Sequence, residues 1–357
     1  MKILLHGATN CGSSNFGDYL YGDAVYRYIT RNYPNCQVQF YQPSRYFRKY
    51  IRNYREYGIT PLTADLILYI PGGYFGEGHQ PRFRDNLIHF LRFMPLGLFG
   101  VLFRKRIVIL GIGAGPIKSL LLKFPIRLIG KRAKLLTVRD PESLQALQII
   151  GLDNTRLTGD LILALNPEEY AEDSGQLQKI KEQCGSQKIL FIHYNHSREA
   201  MEKFAAAIIR FKQSNETYRF VIGADSILVN EDQLFSEFTQ RTGMQCTHYR
   251  YNSPYELTRM LMMADAVLTC KLHVGVMASL LGKSVVCIAE HPEKTFRYYR
   301  QIAHTERFVS LYDTQPEMIA SMLNNYCDTP LQVPKAEIER SKQNWNLLKK
   351  TLEDGLC

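Results

Sequence analysis

The sequence contains no run of eighteen uninterrupted apolar residues, and a helix needs about that length to cross a bilayer. We therefore expect no transmembrane helix. The apolar part of the first ten residues, MKILLHGATN, is too short for a signal peptide. It predicts a first buried strand instead.

Paired cysteine motifs are also missing. The eight cysteines lie far apart and form no CxxC pair, so neither a disulfide framework nor a zinc site is expected. Cys270 and Cys287 stand inside apolar strand-like runs, where a thiol usually packs as a small hydrophobic group. We expect reduced thiols, a cytoplasmic protein and no bound metal.

Acidic residues are missing from residues 86 to 138, which contain ten lysines and arginines, as many as the net charge of +10. The same stretch holds LIHFLRFMPLGLFGVLFRKR and IKSLLLKFPIRLIGKR, apolar segments closed by basic clusters. A basic amphipathic surface suits peripheral contact with an anionic membrane or a lipid-linked acceptor. Alternatively, the apolar residues are core and the basic ones a solvated rim. No recognised nucleic-acid-binding module accompanies the charge, so nucleic acid is not expected as a partner.

The length and periodicity indicate two α/β domains. A chain of 357 residues exceeds the usual size of one core. Ten strand-like runs alternate with helical segments, which predicts parallel sheets covered by helices on both faces. We predict two Rossmann-like, doubly wound domains facing a cleft, at 1–165 and 188–330. An acidic linker over 166–187 and a C-terminal helix over 331–357 complete the division.

Candidate residues in the first half follow strand-like runs. The loop after the first run ends in Asn15, Gly17 and Asp18, and it can present backbone N–H groups to a ligand while Asp18 acts on a sugar hydroxyl. The alternative is a turn with Asp18 as helix N-cap. Gly72 and Gly73 follow the third run, where they indicate close approach of a ligand or a turn requirement.

Lys271 and His273 stand where the strand-like AVLTC gives way to the helical VGVMASLLG, and Lys294 follows the next strand. Ligands of open α/β sheets bind beyond the carboxyl ends of the strands, beside helix N-termini that attract anions. The two cations and the imidazole therefore predict a site for a small, highly charged anion. The alternative is a buried unit in which these residues only cap the helix.

Three further segments carry residues with chemical potential. Arg139 ends the fifth strand and can grip a phosphate or carboxylate, or form an ion pair with Asp160. His193 and His196 end a strand in the second half, but no third metal ligand of suitable spacing accompanies them. The glycine string GIGAGP, residues 111–116, lacks the last glycine and the acidic residue of a dinucleotide fingerprint. No nicotinamide or flavin is expected.

In order, NFGD, PGG, GIGAGP, VRD, TGD and KLH with a later lysine resemble the polysaccharide pyruvyl transferase family, from residue 3 to about residue 300. Two positions depart from the family pattern as we know it. Lys271 stands where the family usually has arginine, which replaces a bidentate contact by a point charge. Tyr74 stands in place of a third glycine.

This resemblance implies a fold like that of B-type glycosyltransferases and transfer of a pyruvyl group from phosphoenolpyruvate. The acceptor is expected to be a saccharide of a cell-surface or exopolysaccharide precursor, either free or lipid-linked. Its hydroxyls form a pyruvate ketal and phosphate is released, without a cofactor. The N-terminal domain is then expected to bind the acceptor, and the C-terminal domain is expected to bind the donor. The protein is expected to act at the inner face of the cell membrane.

The resemblance also implies roles for individual residues. His273 is expected as general acid or phosphate ligand, and Asp18 as the group that orients or deprotonates the acceptor. Substrate-binding residues are expected at Arg139, Lys271, Lys294, Asn15, Gly17, Gly72, Gly73 and His193. Two alternatives remain open: a B-type glycosyltransferase that holds a nucleotide ribose through Glu290 or Glu293, and a non-catalytic anion- or membrane-binding relative.

Overall fold

The structure is a computed structural model, and it describes residues 1–10, 15–77, 82–195, 197–215, 217–227 and 230–356. The chain divides into two compact units. Unit 1 comprises Met1–Ser14, Asp18–Leu165 and Lys335–Cys357, and unit 2 comprises Asn15–Gly17 and Asn166–Pro334. The C-terminal residues therefore belong with the N-terminal sheet.

Strands and helices alternate along the chain, as the apolar periodicity predicts. The strands are β1 (Lys2–His6), β2 (Gln37–Phe40), β3 (Leu66–Tyr69), β4 (Arg106–Ile112), β5 (Leu135–Val138), β6 (Arg156–Leu157), β7 (Lys188–His193), β8 (Tyr218–Gly223), β9 (Thr247–Tyr249), β10 (Ala266–Thr269), β11 (Ser284–Ala289) and β12 (Phe308–Ser310). The helices are α1 (Phe16–Asn32), α2 (Arg45–Tyr50), α3 (Phe83–Leu102), α4 (Leu120–Arg132), α5 (Pro141–Ile149), α6 (Gly175–Cys184), α7 (Arg198–Ser214), α8 (Glu231–Thr242), α9 (Pro254–Met263), α10 (Leu272–Leu280), α11 (Pro292–Gln301), α12 (Pro316–Tyr326) and α13 (Lys335–Leu356).

Each unit is built on one parallel six-stranded sheet. Unit 1 has the order β2-β1-β3-β4-β5-β6, and unit 2 has β12-β11-β10-β7-β8-β9. Strands β3, β5, β10 and β11 are buried along their whole length, as expected for parallel strands covered on both faces. The strand order reverses between β1 and β3 in unit 1 and between β7 and β10 in unit 2. Such switch points are where open α/β sheets bind ligands.

Two strands and one helix differ from the sequence-based expectations. The strands β6 and β12 were not predicted, since they are only 2 and 3 residues long and lie at sheet edges. Residues 166–187, predicted as a linker from their acidic composition, instead contain α6. Leu177 and Ile180 of this helix are buried because its amphipathic pattern gives them an inward face.

Helix α13 is fixed to the sheet of unit 1 by one buried amide. The Asn344 side chain donates to the Gly159 carbonyl (3.0 Å) and accepts from the hydroxyls of Thr137 (3.1 Å) and Thr158 (2.9 Å). These three residues lie at the carboxyl ends of β5 and β6. The helix therefore supports the edge of the sheet from which Arg139 projects. Within the described residues, no helix combines the length and apolar character needed to cross a membrane.

Candidate functional site

In unit 2, polar side chains gather where four neighbouring strands end. His193 ends β7 and is paired in register with Thr269, the last residue of β10. Lys271 lies two residues beyond the end of β10, and Asp225 lies two residues beyond the end of β8. Because the strands are parallel, their carboxyl ends share one edge, and this edge includes the switch point between β7 and β10.

The His193 ring is held from both nitrogens. It is completely buried, with Nδ1 2.8 Å from the Thr269 hydroxyl and Nε2 3.5 Å from Asp225 Oδ1. Both contacts lie within unit 2, and of the two the contact with Thr269 has hydrogen-bond geometry. His193 is thus buried beneath this edge of the sheet. Its contact with substrate stays a prediction.

Asp225 is a buried carboxylate, only 3 % exposed. Burial by itself would raise its pKa, but the His193 imidazole, followed by the charges of Lys271 and His273, holds the pKa of Asp225 below its usual value. Asp225 is therefore ionised at neutral pH. It adds a negative charge beside the cations and the imidazole from which the sequence predicts an anion site.

Lys271 is the N-cap residue of α10, and its ammonium group donates to Oε2 of Glu290, at the end of β11. Burial disfavours the charged amine, but neighbouring groups, among them the carboxylates of Glu290 and Asp225, outweigh this and raise the pKa of Lys271. The lysine is therefore cationic and already has an anionic partner. An incoming anion would compete with Glu290 for it.

His273 lies in the first turn of α10 and is half-buried. Residues 15–17 group with unit 2, and the backbone of Gly17 packs against this imidazole. A Cβ atom added at Gly17 would come within 2.0 Å of His273 Nδ1, so only glycine fits. The first-turn N–H groups of α10 and the helix dipole favour an anion at this helix end. Lys294, also half-buried, lies in the first turn of α11, which follows the adjacent β11.

In unit 1, Arg139 follows β5 and is buried, with 8 % exposure. Its Nη1 donates to the Tyr21 hydroxyl at 3.2 Å and lies 3.5 Å from Oδ2 of Asp160, while Nε is 3.8 Å from Asp140. Of the two sequence-based alternatives, the ion pair with Asp160 is therefore present. Binding of a substrate anion by Arg139 stays a prediction.

Tyr21 connects this ion pair to α1. Its hydroxyl donates to both carboxylate oxygens of Asp160, at 2.7 and 2.9 Å. Burial, and then the negative charge of Asp160, raise the pKa of Tyr21 well above its usual value, so the hydroxyl stays protonated. Asp160 also accepts from the Ile162 backbone N–H at 3.0 Å. The carboxylate is thus held by three groups.

Asp18 lies inside the first turn of α1, because the helix begins at Phe16. The interpretation of Asp18 as the N-cap is therefore wrong; an acidic residue in the first turn still interacts favourably with the helix dipole. Asn15 directly precedes the helix and is half-buried. Predicted features at residues 11–14 and at His196 lie outside the described residues.

The two glycines after β3 have different surroundings. A Cβ at Gly72 would come within 2.1 Å of the Tyr74 ring, whereas Gly73 has nothing within 4 Å of such an atom. Tyr74 accepts from the Ala8 N–H and donates to the Pro71 carbonyl, both at 2.9 Å. The tyrosine that replaces a family glycine thus ties together the loops after β1 and β3. Gly72 is required by this packing, and Gly73 is not.

Backbone geometry explains one glycine of the string GIGAGP. Gly111 has φ +54° at an irregularity in the β4–β5 pairing, a conformation that favours glycine. A Cβ at Gly76, outside the string, would meet the Gly115 backbone nitrogen at 2.4 Å, so this contact requires glycine at position 76. Gly115 itself has room for a Cβ, whose nearest neighbour, the Glu77 carbonyl oxygen, would lie 3.5 Å away.

Three residues of these clusters were not found from the sequence. Asp225 directly follows the strand-like RFVIGA, so its position after a strand was an available signal. Tyr21 lies one turn beyond Asp18 and gave a weaker one. Asn344 lies in a polar helix with no distinguishing pattern. Among the residues that the structure describes, no three His, Cys, Asp or Glu side chains form a group suited to a metal ion.

The sequence model of the family described as polysaccharide pyruvyl transferase matches residues 15–292, more than three quarters of the chain. The chain belongs to the polysaccharide pyruvyl transferase family. The resemblance inferred from the ordered motifs is thereby confirmed. Membership makes the protein a transferase of polysaccharide biosynthesis. No curated protein sequence matches the chain significantly.

Solved structures show the same fold at low sequence identity. A putative UDP-N-acetylglucosamine 2-epimerase from Listeria monocytogenes aligns with TM-score 0.67 and 12 % identity over 99 % of this chain and 97 % of its own. UDP-GlcNAc 2-epimerase from Neisseria meningitidis, bound to UDP-GlcNAc, gives 0.62 and 11 % over 98 % and 100 %. A glycosyltransferase from Rickettsia africae gives 0.60 and 12 % over 99 % and 97 %. The predicted fold class, two Rossmann-like domains of the glycosyltransferase B type, is confirmed.

Proposed function

We propose that the protein transfers the pyruvyl group of phosphoenolpyruvate to two hydroxyls of one sugar residue, forming a cyclic ketal and releasing phosphate. Family membership supports the reaction class. The observation that carries the proposal is the position of His273. This imidazole lies in the first turn of α10, beside the switch point of sheet β12-β11-β10-β7-β8-β9.

Unit 2 has the groups that a phosphorylated three-carbon acid requires. Phosphoenolpyruvate carries a carboxylate and a phosphate. The N-terminus of α10 supplies backbone donors and a positive dipole end, and Lys294 supplies charge from the neighbouring α11. Lys271 joins them by exchanging its contact with Glu290 for one with the donor. Its single ammonium group then replaces the bidentate arginine of the family pattern.

The proposed reaction begins with proton transfer from His273 to the methylene carbon of phosphoenolpyruvate. The central carbon gains cationic character, one sugar hydroxyl adds to it, and the proton of that hydroxyl returns to His273. The C–O bond to phosphate then breaks, a second hydroxyl attacks the same carbon to close the ketal, and its proton leaves with the phosphate. The products are the pyruvyl ketal and inorganic phosphate.

Asp225 supports the acid role of His273. The carboxylate is buried and ionised, and it lies within electrostatic range of the imidazole. A negative neighbour stabilises the imidazolium form, which is the form that can donate a proton. We therefore assign Asp225 and His193 to positioning and charge balance. Asp18, in the first turn of α1, is proposed to orient the acceptor hydroxyl.

Transfer from a nucleotide sugar is the main competing function. It calls for a carboxylate that accepts the ribose hydroxyls, and Glu290 and Glu293 are the candidates at this edge. Glu290 already accepts from Lys271, which disfavours it for this role. The two epimerases and the glycosyltransferase of the same fold described above share 11–12 % identity with the chain and so support the architecture alone.

Calorimetry and kinetics separate these functions. We expect phosphoenolpyruvate to bind to the wild type and UDP-sugars not to bind. His273→Ala should lower phosphate release by about 10²–10⁴-fold, the usual range for general acid–base catalysis. His304→Ala is the matched control, because His304 lies in the same unit and contacts Glu306 and the Gln332 carbonyl. Binding of UDP-sugars alone would favour a glycosyltransferase; phosphoenolpyruvate binding without turnover would favour a non-catalytic relative.

A further inference from the structure

Two helices of unit 1 expose an apolar face that the proposed transfer reaction does not use. Helix α3 follows β3 and α4 follows β4, so both crossovers run the same way along the sheet, on one face of it. The two helices also pack against each other. Their outer sides are therefore neighbouring parts of one surface.

The exposed apolar residues of α3 recur at helical spacing. Phe83, Leu87 and Leu91 follow at intervals of four and are 74 %, 36 % and 61 % exposed. Ile88 and Leu102 are exposed on the same side. In an ordinary surface helix this stripe faces the core, and here it faces outward. With 20 residues, α3 is about 30 Å long, so the exposed stripe is extended.

Helix α4 continues the apolar face and adds positive charge. Leu120 and Phe124 are 77 % and 66 % exposed. Arg127 and Lys131 follow Phe124 on the same side of the helix, at intervals of three and four, and both are exposed. No acidic residue occurs from residue 86 to residue 138. We call the seven exposed apolar residues the α3–α4 surface: Phe83, Leu87, Ile88, Leu91, Leu102, Leu120 and Phe124.

We propose that the α3–α4 surface binds an anionic lipid bilayer peripherally. Single exposed apolar side chains are common, but seven of them on two helices that pack against each other mark an interaction site. Its basic flank selects the occupant, because lysine and arginine next to apolar side chains are attracted to anionic headgroups while the apolar groups enter the acyl boundary. A second copy of the chain would bring two basic flanks together. The charge thus favours lipid over self-association.

Vesicle flotation with the full chain tests this proposal. Vesicles of phosphatidylglycerol mixed with phosphatidylcholine should bind the protein, and pure phosphatidylcholine vesicles should not. Raising the salt concentration should weaken binding, because headgroup attraction is screened within about 10 Å at ~0.1 M. Equal binding to both kinds of vesicle, or none to either, would overturn the proposal.

Variants separate the two contributions. Leu91→Ser with Phe124→Ser, and separately Arg127→Glu with Lys131→Glu, should each lower the fraction bound by more than tenfold. Ile149→Ser is the apolar control, since Ile149 lies on α5 of unit 1 and is 75 % exposed. These positions are exposed, so the variants should keep the wild-type circular dichroism spectrum and melting temperature.

Two controls complete the test. Lys179→Glu with Lys181→Glu reverses two exposed charges on α6 of unit 2 and should leave vesicle binding unchanged. Light scattering gives the oligomeric state of the same samples. A wild-type dimer that Leu91→Ser with Phe124→Ser converts to monomer, without flotation of either protein, would assign the surface to a second copy and refute lipid binding.

Discussion

Removing the Arg139 guanidinium distinguishes a structural ion pair from a substrate contact. Arg139→Met keeps much of the side-chain volume but leaves the buried carboxylates of Asp160 and Asp140 without their cation. Asp160 is 4 % exposed, and Asp140 is 5 % exposed. Breaking a buried pair by removing one partner costs about 3–5 kcal/mol. Tyr21 still donates to Asp160 in the variant, so we expect a loss near the lower limit, about 3 kcal/mol.

The double variant Arg139→Met with Asp160→Asn isolates the pair. The amide introduced at position 160 carries no charge and can still accept from Tyr21 and from the Ile162 N–H. In the wild type this N–H lies 3.0 Å from the Asp160 carboxylate. If the arginine serves mainly to neutralise Asp160, the double variant should recover about 2 kcal/mol relative to the sum of the single variants. Asp140→Asn paired with Arg139→Met should recover less, because Asp140 is farther from the guanidinium, at 3.8 Å.

Urea unfolding, followed by tryptophan fluorescence, reports on unit 1, which contains Arg139 and Asp160. Trp345 is the only tryptophan, lies in α13 of unit 1 and stacks on Tyr28 with ring centroids 4.5 Å apart. Additive losses in the two single variants and the double variant would refute the ion-pair reasoning. Phosphoenolpyruvate affinity adds a second test. If the double variant is stable and binds phosphoenolpyruvate as tightly as the wild type does, Arg139 is excluded as a ligand of the donor.

Three further predictions concern other parts of the molecule. Asn344→Leu removes the buried amide contacts of α13 and should lower the unfolding free energy by about 3 kcal/mol. The control Gln343→Leu, on the exposed side of the helix, should change the unfolding free energy by less than about 0.5 kcal/mol. Equal effects of the two variants would contradict the role of the amide. The pKa of His6 is lowered to about 4 by burial, so the unfolded chain binds more protons between about pH 6.5 and about pH 4 and stability falls as the pH is lowered through that window. From about pH 7.5 to about pH 5 the wild type should lose about 2 kcal/mol more than His6→Gln, and parallel curves in urea titrations would exclude the linkage. Gly17→Ala places a methyl group against the His273 ring and should lower kcat by more than tenfold in protein that keeps the wild-type circular dichroism spectrum; unchanged kcat would show that the ring tolerates displacement.

The sheets were predictable because buried parallel strands are nearly continuous apolar runs. Ten of the strands follow from runs such as SVVCI. The cap of α5 is typical of the Asp140–Pro141 pair, and Asp140 accepts from the Ser143 N–H at 2.8 Å. Strands of two or three residues at a sheet edge carry no comparable signal. The linker prediction for residues 166–187 rested on their acidic residues, which lie in and beside a short 3₁₀ turn. It did not take account of the amphipathic pattern that forms α6.

The candidate site was predictable by position and less so by charge. Residues at or just beyond the end of a strand, such as His193 and Lys271, reach the carboxyl edge of a parallel sheet whatever their partners are. The partners come from distant parts of the sequence: Asp225 is 32 residues beyond His193, and Glu290 is 19 beyond Lys271. A single sequence does not pair such groups. The cationic edge predicted from Lys271 and His273 therefore contains two carboxylates as well.

The most direct test of the proposed reaction is mass spectrometry of a saccharide acceptor after incubation with the protein and phosphoenolpyruvate. We predict that the acceptor gains the mass of pyruvate less one water, with one phosphate released for each ketal formed. His273→Ala should lower both signals by about 10²–10⁴-fold, and His304→Ala should retain them. An acceptor of unchanged mass across a panel of lipid-linked and free oligosaccharides, or an acceptor that gains a hexose from a UDP-sugar instead, would contradict pyruvyl transfer.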